Sequence, residues 1–194
     1  MQFCQRLKNK KINKKTMIKK TKWSVDQSHS QVQFKVKHLA ISNVTGTFKT
    51  FSGTVLTENE NFSDAEMQFE VETNSIDTNN SERDGHLKSP MFLNSEKFPT
   101  IKFNGNYRNQ NGNEFIEGDL TILETTKSIK MEAEHTGVGT GRFNDIRAGF
   151  EISTKINRKD FGLTFHLLND AGNLVVGEEV KLHFDIQLIK QADE

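Results

Sequence analysis

Three groups of residues in this 194-residue chain could do chemistry. Asp26, Ser28 and His29 put a carboxylate, a hydroxyl and an imidazole within four positions. A nucleophilic site uses these types when a base activates serine and an acid orients the base. No glycine-flanked nucleophile elbow and no oxyanion-hole loop accompanies them, so hydrogen bonding at the entry to a strand explains them better, and no catalytic residue is assigned. Six histidines form the second group: His29, His38, His86, His135, His166 and His183. None stands in an HxH or HExxH spacing, and the sole cysteine, Cys4, makes no CxxC pair, so no metal site is assigned. His38 and His135 share the inward parity of their strands and could meet inside a closed sheet.

The third group, Arg83, Asp84 and His86, lies in a polar connection from Asp77 to Pro99, where two alternating runs would need only a tight turn. A connection of that length is usually functional or a lid. Arginine offers a permanently charged fork to phosphate or carbonyl oxygens, which suits Arg83 to a ligand head group, joined by Arg158 and Lys159 if their segment lies at the same end. The plainer alternative is that Arg83 and Asp84 form ion pairs fastening the insert, while His86 and Ser89 satisfy loop backbone. The spacing predicts one or two helical turns over Ser81 to Lys88 with Ser81 as N-cap, and a second short helical stretch over Lys159 to Phe165.

The elements that must carry these residues alternate with period two. In Val32-Gln33-Phe34-Lys35-Val36-Lys37-His38 the apolar side chains share one parity, as in a strand with one dry and one wet face. Met67, Phe69 and Val71 repeat the pattern, as do Ile101 with Phe103, Leu120 with Ile122, and Ile129 with Met131 and Ala133. The longest runs are Ile146 to Ile156 and Glu178 to Ile189. Parallel α/β strands, buried on both faces, would read as continuous apolar runs, so the pattern indicates an all-β, antiparallel sheet closed on itself. Asn109 to Asn113 and Asp170 to Asn173 read as glycine-containing hairpin loops.

Composition bounds the rest. Hydrophobic residues make up 34% and the mean hydropathy is −0.66, yet phenylalanine alone contributes 15 residues against one Trp and one Tyr. Net charge is zero, but residues 1–22 carry nine basic groups and no acid, so the remainder holds 26 − 9 = 17 basic against 26 acidic groups, a net of −9. An acidic domain repels nucleic-acid phosphates, leaving the leader at most a non-specific contact with nucleic acid or anionic lipid. No apolar run approaches the length of a bilayer span. From Lys8 to Lys22 only Ile12, Met17 and Ile18 are apolar, short of the run an export signal needs, so the expected location is the cytoplasm. Residues 1–21 read as a basic leader, 22–190 as one domain and 191–194 as a tail.

Several short segments carry a family resemblance. Trp23-Ser24-Val25-Asp26 with His29-Ser30, the segment Ser81 to Ser89, and Arg158-Lys159-Asp160-Phe161-Gly162-Leu163 follow in one order. Between them come Val44-Thr45-Gly46-Thr47-Phe48 and Glu117-Gly118-Asp119-Leu120-Thr121-Ile122, and after them Val176-Gly177-Glu178-Glu179-Val180. Over about residues 22 to 190 the chain resembles the YceI-like family. The resemblance implies an eight-stranded lipocalin-like barrel that binds polyisoprenoids and related long lipids without catalysis and without a cofactor. The implied partner is a prenyl diphosphate or isoprenoid quinone, with a fatty acyl or amide lipid as the alternative and an enzyme of isoprenoid metabolism as a further one. Relatives in the family pair as homodimers, and many are exported to the periplasm.

A barrel of this size either fills its interior with side chains or keeps a slot. Periodicity leaves both open; the resemblance implies the slot. Its expected wall is Phe34, Val36 and His38 on one strand, Met67, Phe69 and Val71 on another, and Phe103, Met131, Phe150, Ile152 and Phe184 on the later ones. Thioether and aromatic surfaces there suit a flexible apolar chain.

Overall fold

The computed structural model describes residues 20–59, 61–168 and 174–192. Strands dominate, in the order β1 (Thr21–Val25), β2 (Gln31–His38), β3 (Ser42–Phe48), β4 (Phe51–Thr57), β5 (Glu66–Glu72) and β6 (Ile76–Asp77). After helix α1 (Ser81–Lys88) come β7 (Thr100–Gln110), β8 (Asn113–Ile122), β9 (Thr125–Thr140), β10 (Ile146–Asn157) and β11 (Val176–Lys190). Neighbours pair antiparallel, and β1 closes the sheet by pairing β4 on one side and β11 on the other. An eight-stranded barrel results because β1 with β2, β3 with β4, and β5 with β6 each act as one interrupted strand: β11 pairs first β1 and then β2, and β5 and β6 pair β4 and β3 in the same way.

The β1–β2 interruption is the 3₁₀ turn Gln27–His29, which Asp26 caps by accepting from the Ser28 backbone N–H at 3.0 Å. The loop Asn111-Gly112 joins β7 to β8 with positive φ at both residues, the backbone of a two-residue I′ turn. Two glycines face each other five pairs along from the turn, Gly105 opposite Gly118, where a side chain would run into neighbouring backbone. Between β9 and β10 the register slips, so that Gly149 pairs with Gly137 and Phe150 with His135, leaving Thr136 as the extra residue of a bulge.

Some expectations need revising. Asn80, not Ser81, caps α1, its side chain accepting from the Arg83 N–H, because the residue before the first helical turn holds the extended backbone that a cap requires. The later helical stretch is a shorter 3₁₀ turn, Arg158–Phe161, ended by Gly162 at φ +80°. Strand β11 runs farther at both ends than the alternation marked. The leader up to Lys19 and the Asp170 to Asn173 loop lie outside the described residues.

Candidate functional site

Inward parity along the strands builds an apolar cavity down the barrel axis. Met67, Phe69 and Val71 of β5 and Phe103 of β7 line one side; Met131 of β9, Phe150 and Ile152 of β10 and Phe184 of β11 line the other. Inside them about 140 Å³ is open to the centre of a water-sized sphere. Cavities walled by hydrocarbon stay dry, so this space favours an apolar occupant over water.

Phe34, Val36 and His38 are not on that wall. They have the expected parity, and β2 stays paired to β11 beyond the cavity-lining Val32, with Phe34 opposite Leu182 and Val36 opposite Val180. There Phe34 packs on Phe48 at 5.8 Å between ring centroids. His38 sits opposite Val176 at the start of β11, whereas His135 is level, through Phe150, with Ile186. Ten residues along one strand is roughly 30 Å, so the two histidines occupy opposite ends and do not meet. Among the described residues no three His, Cys, Asp or Glu side chains converge as a metal site.

One end of the cavity is stoppered by aromatic rings. Phe62, in the polar loop between β4 and β5, has φ +59° and is 1% exposed. Its ring lies 5.0 Å from Trp23, 5.2 Å from His135 and 5.1 Å from Phe150 between centroids. Tyr107 meets Phe150 edge-on, and burial is the main reason its phenol is pushed above its ordinary range, with Glu114 adding to the rise. Period-two reasoning could not reach Phe62, which stands in no strand; its one signal is a lone aromatic in Glu58-Asn59-Glu60-type polar sequence.

The opposite end is covered by Leu87 of α1 and by Leu123, Phe161 and Leu163.

The polar residues expected at the mouth are tied into the fold. Arg83 donates from Nε to Thr78 Oγ1 at 2.8 Å and from Nη2 to the Thr78 carbonyl at 2.7 Å. Asp84 accepts from the Thr78 N–H at 2.9 Å and from its hydroxyl at 2.5 Å. Both therefore fasten α1 to the segment after β6 through Thr78 instead of pairing with each other. The His86 ring packs against Phe92 and Phe165 at 5.0 and 5.9 Å. Arg158 is 4% exposed and donates to three backbone carbonyls, those of Gly177 at 2.9 Å, Val176 at 3.3 Å and Leu163. Burial pulls its pKa down, partly offset by Glu178, and its donors join the 3₁₀ turn to the start of β11.

At the β1–β2 break, Asp26 gathers His29 Nδ1 at 2.8 Å and Arg147 Nη1 at 2.6 Å, while Arg147 also reaches Asp145 and Gln187. Burial pushes the Asp26 carboxyl up, but the hydrogen bonds from His29, Arg147 and the Ser28 N–H outweigh it and hold the group below its ordinary range. Both Asp26 oxygens are occupied, and this joint between β1, β10 and β11 offers no activated serine.

Comparison with known proteins agrees with this geometry. The model of the YceI-like domain matches residues 23–188. The chain belongs to the YceI-like family. Protein YceI of Salmonella newport (strain SL254) is 38% identical over 164 residues, which cover 84% of this chain and 83% of that protein, and its counterpart in Salmonella agona (strain SL483) matches equally. Among solved structures, the YCEI protein of Campylobacter jejuni is 27% identical with a TM-score of 0.68, covering 80% of this chain and 90% of its own. Burkholderia cenocepacia BcnA shares the fold at 19% identity and a TM-score of 0.72, covering 84% and 98%. So does a polyisoprenoid binding domain from Saccharophagus degradans implicated in plant cell wall breakdown, at 14% identity and a TM-score of 0.66, covering 87% and 98%. Among the described residues no helix is long and apolar enough to cross a membrane.

Proposed function

We propose that this YceI-like protein binds one long-chain isoprenoid lipid along its barrel axis and acts as a non-enzymatic carrier that sequesters or transports it. The observation that carries the reading is the axial cavity, walled by hydrocarbon and aromatic side chains and stoppered at one end by Phe62. Transfer of a tail from water into such a space contributes about 0.8 kcal/mol per methylene. Linear, unsaturated chains match a narrow slot whose wall includes Met67 and Met131, thioethers that adapt to a kinked ligand. Because Arg83 and Arg158 spend their donors on Thr78 and on backbone carbonyls, the observations favour a head of low charge, such as a quinone, over a diphosphate.

Native mass spectrometry of the chain purified without added lipid tests this reading. The expected result is a retained hydrophobic adduct, one per chain, identified as an isoprenoid after extraction. Ile152→Trp, which fills the middle of the slot at an overpacking cost of about 1–3 kcal/mol, should remove the adduct while circular dichroism stays that of a folded barrel. Met131→Phe is the milder fill should that variant unfold. A folded, filled barrel that keeps the same adduct would place the lipid elsewhere and overturn the proposal.

A further inference from the structure

The barrel end carrying α1 exposes apolar side chains that no strand pattern requires. Ile41, at the tip of the β2–β3 hairpin, is 82% exposed; Met91, Leu167 and Leu168 are 56%, 50% and 48% exposed. Backbone and ring contacts join them into one rim. The Leu39 N–H donates to the Val175 carbonyl at 2.9 Å, and the Val175 N–H donates to the Leu167 carbonyl at 2.8 Å. Phe165, two residues before Leu167, packs on Phe92 at 4.6 Å, and Phe92 adjoins Met91. Soluble proteins leave single apolar side chains exposed routinely, but a joined set marks a contact surface.

Charge on the flank above this rim is arranged in rows. Lys35, Lys181 and Lys155 stand directly opposite one another across β2, β11 and β10. Like charges in register destabilise a sheet, so the row calls for a partner. Among the described residues Lys155 has a distant ion pair with Glu179 at 3.7 Å, while Lys35 and Lys181 have none. Farther from the rim the sign reverses: Asp185, Glu151 and Glu134 form an equally registered acidic row. Between that row and the rim stand Lys37 of β2 and Glu178 and Glu179 of β11, the glutamates paired with Lys159 and Lys155. A surface with apolar tips, a lysine row on the flank behind them and an acidic row beyond is polarised for an anionic bilayer, which accepts apolar side chains at its boundary and attracts lysines within a Debye length.

We propose that the rim carrying Ile41, Met91, Leu167 and Leu168 is a membrane-docking surface, which seats on anionic phospholipid with the Lys35–Lys181–Lys155 row facing the headgroups. The opposite end has its own exposed apolar side chains, Val138 at 52%, Phe143 at 85% and Ile146 at 39%, but Phe143 stands between Arg142 and Asp145 without a registered lysine row, and that end lies behind the Phe62 stopper. Docking by the α1 end would bring to the bilayer the cavity end covered by Leu87, Leu123, Phe161 and Leu163. The inference deepens the carrier reading, since a carrier must meet the membrane with which it exchanges lipid.

The test places a tryptophan at each end of the full chain, Ile41→Trp and Phe143→Trp, with Trp23 a shielded background at 3% exposure. Each variant is mixed with vesicles of two parts phosphatidylcholine to one part phosphatidylglycerol, with and without bromine-labelled acyl chains. Ile41→Trp should shift to the blue and lose most of its added emission to the bromines, and Phe143→Trp should do neither. Adding Lys35→Glu and Lys181→Glu to Ile41→Trp should weaken partition roughly tenfold or more, and high salt should do the same. Absence of binding, binding with Ile41→Trp unquenched, or equal quenching at Phe143→Trp would each overturn the proposal. Because the vesicles contain no isoprenoid, this result is separate from the adduct test: an empty barrel can still dock, and a loaded one can fail to.

Discussion

Replacing Arg158 with Met keeps an unbranched side chain in place and removes every donor it offers. In the folded protein those donors serve the carbonyls of Gly177, Val176 and Leu163, all beneath a side chain 4% exposed. A buried acceptor left without its donor costs about 1–3 kcal/mol. Three of them would reach the top of a wide range, but each carbonyl keeps a second lone pair and the variant no longer buries a charge, so the net loss should be about 3–5 kcal/mol. That is a large share of the roughly 5–15 kcal/mol that stabilises a typical domain. For a protein of this size each kcal/mol is about 2–4 °C in melting temperature, so Arg158→Met should melt about 10 °C or more below the parent. Urea unfolding followed by circular dichroism gives the free energy, and an unchanged slope against urea confirms that the same surface is exposed. The guanidinium stays charged throughout the accessible range, so the loss should be the same at pH 6 and pH 9. A variant within about 1 kcal/mol of the parent would refute the three-carbonyl account. Full stability with selective loss of a diphosphate-bearing lipid would return Arg158 to the head group.

The Asp26 joint should appear on the acid side of the stability profile. Its carboxyl is held below its ordinary range in the folded state, so the stabilisation is present above the unfolded value of about 4 and is lost as pH falls through the folded one. Asp26→Asn should therefore lose on the order of 1 kcal/mol near pH 7 and flatten the decline below pH 4; an equal acid slope in parent and variant would assign that decline to other carboxylates. Gly118→Ala should cost about 2 kcal/mol or more, because its Cβ would meet the Asn104 carbonyl and the Gly105 Cα, which are backbone and cannot rotate away. A Gly118→Ala melting temperature equal to the parent's would show that β7 and β8 can separate there at little cost.

Alternation made the walls legible before any coordinates. Met67, Phe69 and Val71, or Phe150 and Ile152, face one way because successive side chains in a strand point to opposite sides, and that holds wherever the strand lies. Such local geometry sufficed for the all-β antiparallel class, and the Asn111-Gly112 turn was readable for the same reason. Position along the axis was not, because it depends on pairing register between segments distant in sequence. Phe34, Val36 and His38 have inward parity but do not line the cavity, and His38 and His135 share a face at opposite poles.

Side chains outside the strands depended still more on tertiary placement. A lone Phe62 in a polar loop carries no period, and only the folded loop turns it in among Trp23, His135 and Phe150. Arg83 and Arg158 show the same limit for charge. Their residue types permit either a ligand's oxygens or the protein's own carbonyls, and the choice rests on which acceptor the fold brings within 3 Å or so. From sequence alone came the strand faces, the hydrocarbon character of the interior and the family resemblance, all products of neighbouring residues and short motifs. Which strands pair to close the ring, the depth of each wall residue, the stopper and the acceptors of the two arginines came only with the tertiary structure, because each depends on how segments pack and not on the order of neighbouring residues.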